Sequence, residues 1–264
     1  MNELFHIGDR EAFEARFARM HPVEESAANW DSPCGRYSIE ATRFTEIPPE
    51  LGEITILKKP GGPDYCRIVV REKKSGRELA EIRRNNPNFW SAWVDHPNGS
   101  QHLVCAQDIA GYSVVNLTKG ETHHYCPPAK ELESAFEWVS VHPSPGKTRL
   151  AAFGWRWGWP APSPMECALY DFSAPDSFPY RELCRGRYER GFCVVPPYIS
   201  EDENGWIDDE TYVYVTQQFY RRRDGKHVYL DLEEVSDAEQ IGWRKERVTL
   251  RVGQDPEFLV LSDP

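Results

Sequence analysis

The chain has 264 residues, 40% of them hydrophobic and 12% aromatic, enough for a sizeable core and unlike a disordered composition. Its 31 Lys and Arg against 42 Asp and Glu give a net charge of −11. That balance argues against general nucleic-acid or anionic-membrane binding, whose affinity comes from clustered positive charge. The start, MNELFHIGDREAFEARF, has no basic segment leading into an apolar run, and no stretch is apolar for long enough to span a bilayer. Seven cysteines (Cys34, Cys66, Cys105, Cys126, Cys167, Cys184 and Cys193) are odd in number and never spaced as Cys-x-x-Cys. A reduced, cytoplasmic protein is the expectation.

In chain order, one helix comes first. Asp9 can cap it, Phe13, Phe17 and Met20 follow on one face, and His21-Pro22 ends it, which predicts a helix within residues 1–22. Short strand-like segments then alternate with turns rich in Pro and Gly. Residues 25–84 read SAANW, the turn Ser32-Pro33-Cys34-Gly35, then RYSIEA, CRIVVRE and SGRELAEIRR. Residues 89–126 repeat the order with FWSAWV, His96-Pro97-Asn98-Gly99, HLVCAQ, YSVVNL and KGETHHYC.

Residues 135–185 give FEWVSV, His142-Pro143-Ser144-Pro145-Gly146, RLAAFG, ECALYDF and SFPYRELC. Residues 191–252 give FCVVPPYI, a looser turn ending at Gly205, TYVYVTQQ, KHVYLDL and KERVTLRV. The tail EFLVLSDP, within 256–264, reads as a strand that closes a ring. Four units of four antiparallel strands, at about the 40–50-residue spacing of propeller blades, cover nearly the whole chain.

The Pro-x-Gly hairpin ahead of the second strand is one repeat feature. The third-strand endings Leu169-Tyr170-Asp171-Phe172 and Tyr229-Leu230-Asp231-Leu232 are another. Together they resemble the WD40-like β-propeller superfamily over residues 25–252. The resemblance implies one propeller-like domain over 1–264. Its class is all-β, a propeller-like array of about four four-stranded antiparallel repeats with one N-terminal helix. An open all-β array, with the helix covering an edge strand, is the other architecture the pattern fits.

Familiar catalytic motifs fail on their neighbours. Gly146-Lys147-Thr148 resembles the end of a phosphate-binding loop, but Val141 stands where the first glycine belongs and a strand follows where a helix is needed. His123, His124 and Cys126 are metal-capable, yet adjacent strand residues point to opposite faces, so exposed histidines on an edge strand are expected. His96 and His142, at matching turns, are read as hairpin-fixing residues. The acidic runs Glu201-Asp202-Glu203 and Asp208-Asp209-Glu210 lack EF-hand spacing. No cofactor is implied.

The segment Gly154-Trp155-Arg156-Trp157-Gly158-Trp159-Pro160 holds three tryptophans in five positions. Its continuation, PAPSPMEC, marks it as a loop. In propeller topology the loops between second and third strands share one face. That face would gather Gln107 and Asp108, the tryptophan segment, Glu166, and Phe219, Tyr220, Arg221, Arg222 and Arg223.

Aromatic and arginine side chains together are enriched on recognition surfaces. The expected function is therefore a protein- or peptide-binding scaffold, with an internal plug as the structural alternative for the tryptophans. A second reading is an enzyme or small-ligand binder, with Asp108 or Glu166 as acid/base, Arg156 as anion clamp and Gln107 beside them. A third is an inhibitor or immunity-type protein with one dedicated bacterial partner.

Overall fold

The computed structural model describes residues 10–23, 28–45, 65–84, 90–106, 111–125, 127, 136–156, 166–186, 193–194, 205–223, 226–229 and 241–262. The described elements are one helix and nineteen strands, in four antiparallel sheets. The chain divides into two compact units, residues 1–95 with 99–137, and residues 96–98 with 138–264.

In the first unit, helix α1 (Arg10–Phe17) falls within the segment read as helical from the sequence. His21–Pro22 is not merely a stop: it forms strand β1, which pairs with the far end of β3 (Tyr37–Thr45). Phe17 and Met20 are buried with Tyr65, and the Phe17 ring lies 4.9 Å from that of Phe44. Arg83 binds Glu14 and stands 5.1 Å over the Phe17 ring, which fastens the helix to the sheet. Asp9 lies outside the described residues.

Strand β2 (Ala28–Asp31) pairs with the start of β3, beside β1, so β1 and β2 together form one rank. Strands β4 (Tyr65–Glu72) and β5 (Glu78–Arg84) complete the first sheet, four ranks wide. The second sheet is β6 (Ser91–Asp95), β7 (Gln101–Ala106), β8 (Tyr112–Asn116) and β9 (Glu121–Tyr125), in that order. Alternation of side chains places Ile39, Ile68, Val70 and Ile82 of the first sheet against Leu103, Cys105 and Val115 of the second.

In the second unit, β10 (Phe136–Pro143), β11 (Arg149–Arg156), β12 (Glu166–Asp171) and β13 (Glu182–Gly186) form a four-stranded sheet. The last sheet is built around β16 (Thr211–Arg223), thirteen residues long. Three short strands, β14 (Cys193–Val194), β15 (Gly205–Trp206) and β17 (Lys226–Tyr229), share one edge of β16. Its other edge carries β18 (Ile241–Arg251), and β18 carries β19 (Glu257–Ser262).

This corrects the strand assignment for the fourth repeat. KHVYLDL is not its third strand; that rank is β18, and the fourth is β19, in the tail read as closing a ring. An alternating pattern identifies a strand but does not name its neighbour, and the length of β16 lets it pair with several.

The hairpin turns repeat at the level of hydrogen bonds. Ser32 and Ser144 are buried, and each Oγ accepts from the amide five residues on, Tyr37 and Arg149. A proline follows each serine, and three residues on the backbone turns left-handed, at Gly35 (φ 69°) and Lys147 (φ 59°). Gly99 (φ 88°) stands in the same relation to His96. His96 therefore corresponds to Ser32 and Ser144, and not to His142, which lies two residues earlier in its own turn. The amide of Asn98 donates to His96 Nδ1 at 3.3 Å, so the Nε2 proton faces the Phe172 carbonyl, 3.1 Å away.

Four of the cysteines, Cys66, Cys105, Cys167 and Cys184, are free and buried in strands, as small apolar residues. Burial pushes the Cys105 thiol up to about 12. Cys34 is free and exposed. Among the described residues no helix is long and apolar enough to cross a membrane.

Candidate functional site

Strands β11 and β16 belong to two different sheets of the second unit that share one core. At their starts, the amide of Gly146 donates to Oδ1 of Asp209 at 2.6 Å. Further along, the Phe153 ring meets Tyr212 at 5.9 Å and Tyr214 at 5.3 Å, both edge-on, within a core shared with Val248 and Leu250. His142 sits against this aromatic row, 5.7 Å from Phe153 and 6.1 Å from Tyr212, and Trp206 Nε1 donates to its carbonyl at 2.9 Å.

Beyond these contacts each strand continues into one of the aromatic and arginine segments. Trp155 and Arg156 are the last two residues of β11, so the tryptophan segment begins inside a strand. The β11–β12 register ends at Gly154 opposite Glu166. Phe219 to Arg223 are likewise strand residues of β16, which corrects the reading of that stretch as a loop. They pair with Trp243, Gly242 and Ile241 on one side and with β17 on the other, where Arg222 stands opposite His227 and Arg223 opposite Lys226. The described parts of the two segments, Trp155–Arg156 and Phe219–Arg223, thus follow the aromatic row along their own strands. Trp157, Trp159, Gln107 and Asp108 lie outside the described residues.

Glu166, the first residue of β12, is 8% exposed. Arg185 Nη1 donates to its Oε2 at 3.0 Å, Arg185 Nε donates to Glu182 Oε1 at 2.9 Å, and Nη2 also binds Glu182. Arg185 Nη2 lies 3.4 Å from the Tyr170 hydroxyl, and the Tyr170 ring packs on Trp138 at 4.9 Å. Burial opposes the Arg185 charge, but the Glu182 and Glu166 carboxylates outweigh it and hold the guanidinium protonated. Burial pushes the Tyr170 hydroxyl well above its ordinary value.

Sequence spacing does not reveal this network. Its signal is a diagonal pair of opposite charges, visible only once the register sets Arg185 opposite Ala168, two residues from Glu166.

The histidine pair lies elsewhere. His123 and His124 are on β9, the edge strand of the second sheet, and their partners Val114 and Ser113 confirm opposite faces. His124 Nδ1 is 2.8 Å from Ser113 Oγ, and Ser113 is fully buried, so this Ser–His pair is a cross-strand tie without access for a substrate.

No family model and no curated protein matches the chain. Among solved structures it is similar to hydrazine synthase of Kuenenia stuttgartiensis, at 13% identity and TM-score 0.41, over 88% of this chain and 65% of that one. It is also similar to a periplasmic gluconolactonase of Pseudomonas aeruginosa, at 12% identity and TM-score 0.27, over 89% and 87% of the two chains. The chain therefore spans just under two thirds of the hydrazine synthase chain. The four antiparallel sheets and the single short helix described above make the described chain an all-β protein.

Proposed function

We propose that this protein is a binding module that captures another protein or peptide. Its contact surface is formed by Trp155, Arg156, Trp157 and Trp159 together with Phe219, Tyr220 and Arg221 to Arg223. The observation that carries the reading is the core shared by β11 and β16, with the Gly146–Asp209 bond at their starts and the Phe153–Tyr214 contact within it. It supports a reading in which two segments of like composition, beginning at Trp155 and at Phe219, continue from the same aromatic row. Large rigid rings beside guanidinium groups provide contact area, cation–π attraction and bidentate donors. The occupied carboxylate of Glu166 favours binding over acid–base chemistry, which needs a carboxyl within reach of a substrate proton.

The test is capture of partners from the native host, followed by quantitative binding of the partner recovered. Trp157→Ala and Arg222→Ala are expected to abolish capture while the melting temperature stays at its wild-type value. Variants that melt several degrees early would assign these side chains to packing instead. A thermal-shift screen with metals, nucleotides, sugar phosphates and carboxylates separates the small-ligand alternative, because a ligand of the folded state must raise the midpoint.

A further inference from the structure

The turns that begin at Ser32, His96 and Ser144 correspond, but their third residues differ: Cys34, Asn98 and Gly146. Of these only Asn98 carries a side-chain carbonyl, and it is followed by Gly99, which is left-handed at φ 88°. Asn98 and Gly99 are both exposed, and a Cβ at position 99 would meet nothing within 4 Å.

The turns also differ in one hydrogen bond. The amide of Gly35 donates to the Ser32 carbonyl at 2.8 Å, and that of Lys147 to the Ser144 carbonyl at 3.0 Å. Among the described residues no such bond joins Gly99 to His96, and the Gly99 amide has no other acceptor there. His96 instead receives the Asn98 amide, on Nδ1 at 3.3 Å. The nitrogen that follows Asn98 is therefore left with no bond to break and no Cβ to crowd it.

We propose that Asn98 is a site of deamidation and isoaspartate formation, with the Gly99 amide nitrogen as nucleophile and water as co-reactant. The Gly99 nitrogen gives its proton to solvent and bonds to Asn98 Cγ. The Cγ–Nδ2 bond breaks, and ammonia leaves with a proton returned by solvent. Water then opens the resulting succinimide. Addition at Cγ gives aspartate, and addition at the Asn98 main-chain carbonyl gives isoaspartate, in which the chain runs through the former side chain. Either product adds one negative charge to a chain already at −11. Isoaspartate also inserts a methylene into the turn that sets His96 Nε2 3.1 Å from the Phe172 carbonyl.

Incubation of the full chain in mildly alkaline buffer, followed by peptide mapping with mass spectrometry, tests this. Fragment ions assign each product to Asn98 or to Asn204, the chain's other asparagine before a glycine. The same chain in guanidinium chloride gives the rate for the unfolded Asn–Gly pair. Native Asn98 is expected to convert within about tenfold of that rate, because no bond has to open first. Cys34→Asn, at an exposed position, sets the same pair in the first turn, where the glycine amide is bonded. Position 34 is expected to convert at least about tenfold more slowly than Asn98 in the same molecule. The proposal is overturned by a native Asn98 rate further below that of the unfolded chain, by aspartate without isoaspartate, or by a position 34 that converts as fast as Asn98.

Discussion

The amide of Gly146 and the carboxylate of Asp209 are joined at 2.6 Å, tying the turn ahead of β11 to the turn ahead of β16. A Cβ at position 146 would run into that same carboxylate. Gly146→Ala must therefore swing Asp209 aside and lose the bond, at a cost of about 1 kcal/mol. Asp209→Asn keeps an acceptor and is expected to lose less. Urea midpoints of the two variants check the order. Gly186→Ala gives a stiffer comparison, because its Cβ would strike the Tyr214 hydroxyl inside a closed core, and it should cost more than Gly146→Ala.

Lys147 holds a left-handed backbone, φ 59°, at the position Gly35 fills in the first sheet. A lysine pays for that conformation in steric strain between Cβ and the backbone, and glycine does not. Lys147→Gly is expected to stabilise the protein by about 0.5–1 kcal/mol, and Gly35→Ala to destabilise it by about as much. Thermal melts of the pair should move in opposite directions.

Arg185 neutralises Glu166 and Glu182 where its side chain is only 6% exposed and that of Glu166 only 10%. Removing the guanidinium strands buried negative charge beside the Tyr170–Trp138 pair. Arg185→Ala is expected to cost about 3 kcal/mol, as breaking one side of a buried ion pair does. Adding Glu166→Gln should recover part of the loss, which a double-mutant cycle in urea measures.

Asp171 is the acid-sensitive point of the third sheet. Burial works against its charge, but Ser173, Arg181 and Arg149 outweigh it, and the carboxyl is held below its ordinary value. A depressed folded pKa contributes stability above the unfolded value of about 4, and that contribution is lost as pH falls through the folded value. The denaturation midpoint should therefore decline on acidification below about pH 4. Asp171→Asn should flatten that decline.

The repeat was legible in the sequence because Pro33, Pro97 and Pro145, with Gly35 and Gly99, sit where the backbone demands them. Local turn chemistry of this kind does not depend on the rest of the fold. The matching of His96 to His142 was the misleading part, since spacing counts residues while hydrogen bonds set register. In the last sheet, the thirteen residues of β16 absorb FYRRR, and pairing partners of a strand are a tertiary choice that alternation does not encode. For the candidate surface, composition drew attention to Trp155, Arg156 and Phe219 to Arg223. Nothing local tied Glu166 to Arg185, nineteen residues away, because that contact exists only through the β12–β13 register.

One edge of β16 is covered in three separate pieces, β14, β15 and β17, while its other edge is covered by the single strand β18. Each short piece is held by only a few backbone bonds, so each can detach by itself while the β16–β18 ladder stays closed. Amide hydrogen exchange should therefore be graded around one strand: amides of β16 that face the short pieces exchange in three independent steps, and those facing β18 only when the sheet as a whole opens.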